Sequence, residues 1–226
     1  MSTLTKLALS LLGQVKPQPV RGESVTRWVL PPPARAGGMP LLEALRRRRS
    51  ERTFTPEPLS EQQLSDLLWA AGGVNRPELG ARTAPSAMNA QELRIHVALP
   101  LGLFRYEPVT HVLERTALRD VRAVTGYQDF VGDAALDLIY VADHRSMRLV
   151  PAARREAYAF AAAGATAQNV YLYCASAGLA TVVRAWFDRA ALSEAMGLAL
   201  DEQLLLTQTV GVPELEPAQR AAAGAA

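Results

Sequence analysis

The segment ALDLIYV, residues 135–141, is an almost continuous run of apolar side chains. Such a run is typical of a central strand that is covered on both faces. Residues 152–177 follow it and are long enough for one extended helix, which we expect to end at Gly178. Helices mixed with a central sheet of only a few strands favour an α+β layered domain.

Shorter elements are predicted on both sides of this strand and helix. Ser60 and Gln63 form a capping box, which predicts the start of a helix that ends at Gly72 and Gly73. Alternation of apolar and polar residues predicts a strand at residues 93–99. The other predicted elements are helices at residues 3–14, from Pro40 and at 190–196, a hairpin at 104–113, and strands at 179–183 and 204–212.

The chain is expected to form one domain with an N-terminal extension. Residues 16–38 carry repeated Pro and Gly, which predicts an extended arm rather than a packed element. We therefore divide the chain into an N-terminal helix and arm at residues 1–38 and a single domain at residues 39–226. For the first residues an amphipathic helix is favoured over a secretory signal, because no small-x-small cleavage site follows the short apolar run.

Composition excludes several classes of protein. A formal net charge of +2 is too small to indicate binding to nucleic acid or to a membrane surface. No apolar run approaches the roughly 18 residues that span a bilayer. The single cysteine, Cys174, excludes a disulfide framework and is compatible with a reducing compartment, so a cytoplasmic protein is expected.

The middle of the predicted long helix, AFAAAGA at residues 159–165, is crowded with small side chains. Small residues allow another helix to approach closely, which suits a tight contact between subunits. A helix buried within one subunit has the same pattern, so the sequence leaves both interpretations open.

The first candidate for chemistry is the basic segment RRRSER at residues 47–52. Arginine offers planar, permanently charged donors that bind phosphate through two hydrogen bonds, and the Ser50 hydroxyl adds a further donor. A solvated helix end explains the same residues, because basic side chains complement the helix dipole.

Two more segments have comparable alternatives. In APSAMNAQ, residues 84–91, Ser86 is suited to cap a helical turn, leaving Asn89 and Gln91 to offer amide groups to a heterocycle. A helix cap alone explains the segment equally well. In GLATVVRAWFD, residues 178–188, a core strand ending in a turn capped by Asp188 is favoured by the pattern itself.

Residue types that often carry catalysis are poorly placed. His96, His111 and His144 lie far apart without metal-ligand spacing, and His96 and His111 are expected to be structural. Cys174 in the long helix is expected to be buried and inert. Because no Gly-x-Gly-x-x-Gly, Walker loop or Gly-x-Ser-x-Gly occurs, a Rossmann dehydrogenase, a P-loop enzyme and an α/β-hydrolase are all disfavoured. No catalytic side chain and no metal site is predicted.

Taken together and in order, these segments resemble the FMN-dependent nitroreductase family. Residues 48–54 match the family's Arg-Arg-Ser-x-Arg-x-Phe, and residues 85–91 match its Pro-Ser-(Ser/Ala)-x-Asn-x-Gln. Gln168 and Asn169 fall in the alanine-rich helix, and residues 178–188 match a Gly-Leu-x-Thr stretch ending in Phe-Asp. With a terminal strand and turn at residues 210–213, the resemblance covers roughly residues 40–213.

The resemblance implies a fold and an assembly. The fold is a three-layer α-β-α sandwich with a central, mainly antiparallel sheet. The assembly is an intertwined homodimer with two FMN sites at its interface.

The resemblance also implies which residues of one subunit contact the cofactor. Arg48 and Ser50 would hold the phosphate or ribityl chain, with Arg52 nearer the pyrimidine end. Gln128 would make a polar contact with the isoalloxazine ring, and the backbone of residues 183–185 would line the ring near N5.

The other subunit would reach the same flavin through the second motif, from Pro85 to Asn89. The complete expected set of cofactor-binding residues is Arg48, Arg49, Ser50, Arg52, Pro85, Ser86, Ala87, Asn89, Gln128, Val183, Arg184 and Ala185.

The activity implied by the resemblance is transfer of hydride from NAD(P)H, through flavin N5, to a nitroaromatic, a quinone or a similar flat small-molecule acceptor. A reduced flavin carries negative charge near N1 and the C2 carbonyl, which a fixed arginine favours. The cofactor performs the redox step, so no acid, base or nucleophile from the protein is required.

Some positions depart from the family pattern. Residues 91–93 are Gln-Glu-Leu where Gln-Pro-Trp is usual, which resembles the azoline-forming dehydrogenases of peptide-modifying systems, although Asn89 is the ordinary nitroreductase residue. Arg184 replaces a smaller or apolar residue and would restrict the substrate side of the flavin. Only Arg220 is available as the basic residue that follows the last strand in the family.

Two alternative functions therefore remain. One is an FMN-dependent dehydrogenase of a specialised metabolite or an azoline-type ring. The other is a flavin-binding protein without turnover.

Overall fold

A single antiparallel sheet organises the molecule. The computed structural model describes residues 2–11, 15–20 and 25–214. Within these ranges the sheet strands are β1 (Arg27–Val29), β4 (Leu93–Leu99), β5 (Gly102–Glu107), β6 (Val112–Ala117), β7 (Leu136–Asp143), β8 (Ala180–Arg184) and β9 (Glu202–Gly211), and a small separate hairpin is formed by β2 (Val74–Arg76) and β3 (Ala81–Arg82). The order across the sheet is β1-β6-β5-β4-β7-β9-β8, and every neighbouring pair is antiparallel.

Helices cover both faces of this sheet. The helices are α1 (Thr3–Leu11), α2 (Leu41–Arg47), α3 (Glu61–Gly72), α4 (Ala152–Ala177) and α5 (Arg189–Met196). One hydrophobic cluster joins α3 and α4 to one face, through residues such as Leu67, Val170 and Tyr140. A second cluster packs Leu192 of α5 and its neighbours against the other face, through Ile139 and others. The three-layer α-β-α fold predicted from the resemblance is therefore confirmed.

Strand β7 shows why residues 135–141 are apolar almost without a break. Leu138 and Tyr140 point into the cluster under α3 and α4, whereas Ile139 and Val141 belong to the opposite cluster. Asp137 interrupts the run and is completely buried. Since both faces of the strand are covered, alternation with polar residues is absent.

Local signals set the ends of the helices. The Ser60 side chain accepts a hydrogen bond from the backbone of Gln63, whose side chain accepts one in return, so the predicted capping box is present. Helix α4 ends at Gly178, which has φ 70°, a left-handed conformation that glycine adopts without steric cost. The predicted strands at residues 93–99 and 135–141 and the hairpin are also confirmed.

Two expectations about the architecture are corrected. The sheet is larger than the few strands expected, because the unpredicted strand β1 adds an edge beside β6 to the strands that the sequence predicted. The stretch at residues 16–38 also contains a packed element, since Arg27–Val29 pairs with β6 and Trp28 packs against the core. Of the predicted helix at residues 3–14, residues 3–11 are helical and 12–14 lie outside the described residues.

Some apolar side chains remain uncovered in the single chain. Leu41 and Leu42 of α2 are 63% and 79% exposed. In α4, Ala162 and Ala163 are buried while Ala161 and Gly164 on another face are exposed. The small-residue segment thus supports both interpretations, because one side packs inside the subunit and the other is open.

No helix in the described part of the chain is long and apolar enough to cross a membrane.

Candidate cofactor-binding site

The basic motif is held beside the edge strand β8. Helix α2 ends at Arg47, and Arg48 leaves it with ψ 124°. The chain then runs along the sheet, because the Glu51 N–H donates to the Thr181 carbonyl at 3.0 Å and the Thr55 N–H donates to the Val212 carbonyl at 2.9 Å. These backbone bonds fix the position of the motif relative to β8.

A hydroxyl pair links the motif to helix α4 and to β8. The Ser50 and Tyr171 hydroxyls lie 2.8 Å apart, and the Val183 N–H donates to the Tyr171 hydroxyl at 3.0 Å. The guanidinium of Arg48 lies 5.3 Å from the centre of the Tyr171 ring, within the range of a cation–π contact. Three segments distant in sequence therefore meet at Tyr171.

Tyr171 is a site residue that sequence reasoning missed. It follows Gln168 and Asn169 in α4, and those two residues were singled out while the tyrosine was not. The available signal was its position three residues after Gln168, close to one helical turn. Asn169 itself ties α4 to α3, because its Nδ2 donates to the Ala70 carbonyl at 3.1 Å.

A cavity of about 550 Å³ opens beside these residues, and we call it the Arg48 cavity. Its lining includes Arg46 to Arg49, Glu51, Tyr171, Cys174, residues 178–181 and Pro213. Arg46 and Arg47 bind Glu43, and Arg49 binds Glu51 at 3.0 Å. Arg48 has no carboxylate within ion-pair distance among the described residues, so its charge is available to an anionic ligand.

Arg52 is exposed and remains close to the motif. Its Nη1 donates weakly to the Ser50 carbonyl at 3.4 Å. The adjacent Phe54 lies with its ring 5.4 Å from that of Phe130. The end of the first motif therefore contacts the loop that carries Gln128.

Gln128 combines an anchored backbone with an unpaired amide oxygen. The Nζ of Lys6, in α1, donates to the Gln128 carbonyl at 3.1 Å. The side-chain Oε1 of Gln128 is buried without a hydrogen-bond partner among the described residues. Because a buried acceptor without a donor is costly, this oxygen is suited to a donor brought by a ligand.

Arg184 lies at the end of β8 and directs its side chain into the domain. Its Nη2 donates to Asp137 Oδ1 at 2.6 Å, and further nitrogens bind the hydroxyls of Thr207 and Thr209. Its guanidinium is 5.5 Å from the centre of the Phe130 ring. With its side chain committed to Asp137, Arg184 can offer only its backbone to a ligand.

The second predicted motif forms a strained loop. Met88, Asn89 and Gln91 have φ values of 55°, 51° and 50°, a left-handed region that costs energy for residues other than glycine. The Ser86 Oγ accepts a hydrogen bond from the Gln91 N–H at 2.7 Å, which holds the loop closed around Ala87. Backbone strain of this kind concentrates at ligand-binding segments.

The structure does not bring this loop to the Arg48 cavity. Pro85, Ser86 and Asn89 line a separate small cavity with Arg82 and Thr166, and the two cavities share no lining residue. Of the predicted site residues, Arg48 and Arg49 line the Arg48 cavity, and Ser50 and Val183 meet at Tyr171. Gln128 lies in the loop that Phe54 contacts, and the second motif lies apart. Arg220 lies outside the described residues.

The other polar candidates are structural. His111 bonds Tyr106 and Ser65, both at 2.8 Å, inside the domain. Burial lowers the pKa of His96 to about 3, so this histidine is neutral. Burial raises the pKa of the Cys174 thiol, which leaves it protonated and unreactive. Burial also lowers the pKa of Lys6 to about 8.

The site is thus built from guanidinium groups, hydroxyls and backbone N–H groups beside an edge strand. Such donors bind a phosphate and the polar edge of a flat ring, and the cavity offers no paired nucleophile and base. The fold and the cavity together define an α+β protein with a candidate site for an anionic ligand.

The chain belongs to the nitroreductase family, whose sequence profile matches residues 45–212. A nitroreductase-family protein of Methanocaldococcus jannaschii is 33% identical over 159 residues, which cover 66% of this chain and 80% of the relative. A nitroreductase-family crystal structure from Ralstonia eutropha is 51% identical with a TM-score of 0.85, covering 88% of this chain and 95% of the other.

A third similarity concerns a protein solved with its cofactor. A nitroreductase-family structure from Desulfovibrio desulfuricans in complex with FMN has a TM-score of 0.57 at 23% identity. It covers 79% of this chain and 89% of the other, and shows the shared fold. Membership of the family makes this chain a flavin oxidoreductase in general terms.

Proposed function

We propose that the protein is an FMN-dependent oxidoreductase that moves hydride from NAD(P)H to a nitroaromatic, a quinone or a similar flat small-molecule acceptor. The observation that carries the proposal is the meeting of Arg48, Ser50 and Val183 around Tyr171, which together with Arg48 lines the Arg48 cavity. Each of the three segments that meet there belongs to a motif of the family.

The residues present fit FMN. Arg48 has no carboxylate partner among the described residues, so its guanidinium is available to bind the phosphate of FMN. Arg49, which follows it in the chain, is exposed. The orphaned Oε1 of Gln128 is an acceptor for a ring N–H. The backbone of β8 beyond Val183 is the outer edge of the sheet, so it is open to a flat ring.

When bound, FMN supplies the chemistry by accepting hydride at N5 and passing it to the second substrate. The chain's own residues bind and orient. Tyr171 holds the Ser50 hydroxyl and the Val183 N–H in fixed positions, which keeps the binding groups ordered before a ligand arrives. The cations at Arg48 and Arg52 favour negative charge on the ligand.

A second copy of the chain would complete the site in an intertwined homodimer. Two observations support this part of the proposal. The strained loop of Pro85 to Asn89 lies in a cavity separate from Arg48, as expected if it serves the partner's flavin. Leu41 and Leu42 of α2 and the small face of α4 are exposed in one chain, and such apolar surfaces mark interfaces.

The test is the absorption spectrum of the purified protein, with FMN added if needed, before and after anaerobic addition of NADH or NADPH. We expect a bound flavin band that bleaches on reduction and returns when a quinone is added. A flavin band that persists with both nicotinamides would contradict this proposal. It would favour an FMN-dependent dehydrogenase with a different electron donor, or a flavin-binding protein without turnover. Absence of flavin binding would overturn all three functions.

A further inference from the structure

A second polar cavity lies where two neighbouring strands separate. The ladder between β4 and β5 runs from Leu99 and Gly102 to His96 and Arg105 and stops there. Strand β4 continues to pair with β7 as far as Leu93. Beyond His96 the two strands diverge, and a cavity of about 340 Å³, which we call the strand-gap cavity, opens beside them.

Arginine side chains dominate the lining of this cavity. It is lined by Gly72, Arg82, Leu93, Arg94, Ile95, Arg105, Tyr106, Glu107, Pro108, Asp143, Arg145 and Glu202. The lining therefore holds four arginines against three carboxylates. None of these residues lines the Arg48 cavity, so the strand-gap cavity is distinct from the proposed FMN phosphate site. It adjoins the small cavity of the second motif, because Gly72, Arg82, Leu93 and Ile95 line both.

Three of the four arginines already have acidic partners. Arg105 binds Glu107 at 2.5 Å. Arg94 binds Asp143 at 3.3 Å, and Arg145 binds the same carboxylate at 2.8 Å. These ion pairs fix the walls of the cavity and leave the fourth arginine in excess.

Arg82 is the arginine without a counter-ion. It is half-buried, its Nη1 donates to the Leu93 carbonyl at 3.2 Å, and its Nε is buried without a partner. No carboxylate lies within 4.0 Å of it in the part of the chain that the structure describes. Burial and the nearby Arg94 lower its pKa, and this outweighs the opposite effect of Glu107, Tyr106 and Glu92. A cation held away from water beside another cation gains stability when an anion binds.

We propose that the strand-gap cavity binds a phosphate group, either free or carried by a small metabolite, with Arg82 as its principal ligand. A guanidinium presents N–H groups in a planar fork that matches two phosphate oxygens. In Arg82 the Nε is buried and Nη1 binds the Leu93 carbonyl, so Nη2, which has no hydrogen-bond partner among the described residues, is the donor left for the ligand. The volume exceeds that of a single ion, since a water molecule takes about 30 Å³ of liquid, so part of a larger molecule also fits.

The experiment titrates FMN-saturated full-length protein by calorimetry with inorganic phosphate, AMP and adenosine, at constant ionic strength set by sodium chloride. We expect saturable binding of a phosphate-bearing compound and none of adenosine. Arg82→Gln should weaken that binding at least tenfold, and Arg82→Lys, which keeps the charge without the fork, should weaken it less. Arg76→Gln is the matched control, because Arg76 is an exposed arginine of the same β2–β3 hairpin that does not line the cavity.

The outcomes separate the sources of phosphate and the two cavities. Binding of both inorganic phosphate and AMP would identify the phosphate itself as the ligand, and binding of AMP alone would identify a phosphorylated metabolite. Lack of saturable binding by either, or unchanged binding in Arg82→Gln, would overturn the proposal. Binding that is lost in Arg48→Gln but kept in Arg82→Gln would assign the phosphate to the Arg48 cavity instead and also overturn it.

Two controls keep the result interpretable. Circular dichroism and the unfolding temperature establish that each variant is folded before titration. If the wild-type protein takes up no FMN, the same titration is performed on the flavin-free chain. Phosphate binding to the strand-gap cavity is then still tested, even though the proposed oxidoreductase function has failed.

Discussion

Arg48 and Arg184 both lie near the edge strand β8, yet the protein holds them in opposite ways. Arg184 is 7% exposed and its guanidinium binds Asp137 at 2.6 Å, with threonine hydroxyls around it. Arg48 is partly exposed, lines a large cavity and contacts the face of Tyr171 without a carboxylate among the described residues. The difference separates an arginine that stabilises the domain from one that is available to a ligand.

The physical reason is the cost of removing a charge from water. A buried guanidinium is tolerated only with a partner, so Asp137 and the threonine hydroxyls compensate the charge of Arg184. A partly exposed guanidinium that lines a cavity keeps part of its water and can exchange it for a phosphate. Arg82 is also partly exposed and without a carboxylate partner in the described chain, but unlike Arg48 it holds a buried Nε that has no hydrogen-bond partner.

The largest effect is expected from breaking the buried pair. Asp137→Asn would leave the Arg184 charge buried without compensation, and we expect the free energy of unfolding to fall by about 3–5 kcal/mol. Urea denaturation measures this change. Glu51→Gln is the matched control, because it breaks the exposed pair with Arg49, and exposed pairs contribute little. Equal effects of the two substitutions would contradict the comparison.

A smaller effect is expected from His96, a buried group that has cations nearby instead of a partner. Burial, together with the nearby cations Arg105 and Arg94, lowers its pKa to about 3, whereas the unfolded chain titrates near 6.5. The folded state thus binds fewer protons, so its stability is complete above pH 6.5 and is lost as the pH falls towards 3. Between pH 7 and pH 5 the expected loss is about 2 kcal/mol.

The His96 prediction is checked by urea denaturation of the wild type and of His96→Leu at pH 7 and pH 5. The variant should lose less stability over this interval, because the titrating group is gone. The same dependence on pH in both proteins would show that other groups cause it.

The smallest effect is expected from Arg48, and it concerns ligand affinity. Arg48→Gln should raise the dissociation constant of FMN about tenfold, or about 1.4 kcal/mol, with little change in the free energy of unfolding. Flavin fluorescence titration measures the affinity, and Arg76→Gln serves as the control. A marked loss of stability with unchanged affinity would reverse the roles assigned to Arg48 and Arg184.

Much of the fold was predictable because its signals are local. The capping box at Ser60, the left-handed glycine after α4 and the apolar run of β7 each act through neighbours in the sequence. The edge strand β1 was missed because its three residues lie in a Pro- and Gly-rich stretch and are held only by pairing with β6. Long-range pairing of a short segment leaves no periodic signal.

The candidate site was predictable in part. The motifs at residues 48–52 and 178–188 were recognised from residue types in order, and the structure brings them together. Tyr171 was not recognised, because its role depends on the meeting of α4 with Ser50 and Val183. The direction of the Arg184 side chain was equally unavailable, since Asp137 lies 47 residues earlier in the chain.

The sequence by itself determined the α+β fold, the positions of most helices and strands, and the family to which the chain belongs. These depend on hydrophobic periodicity, capping residues and ordered motifs, which are properties of neighbouring residues. Only the tertiary structure decided which arginines are buried with partners and which face a cavity. Burial and charge compensation are set by residues far apart in the chain, so the same residue type is structural at Arg184, available to a ligand at Arg48 and without a counter-ion at Arg82.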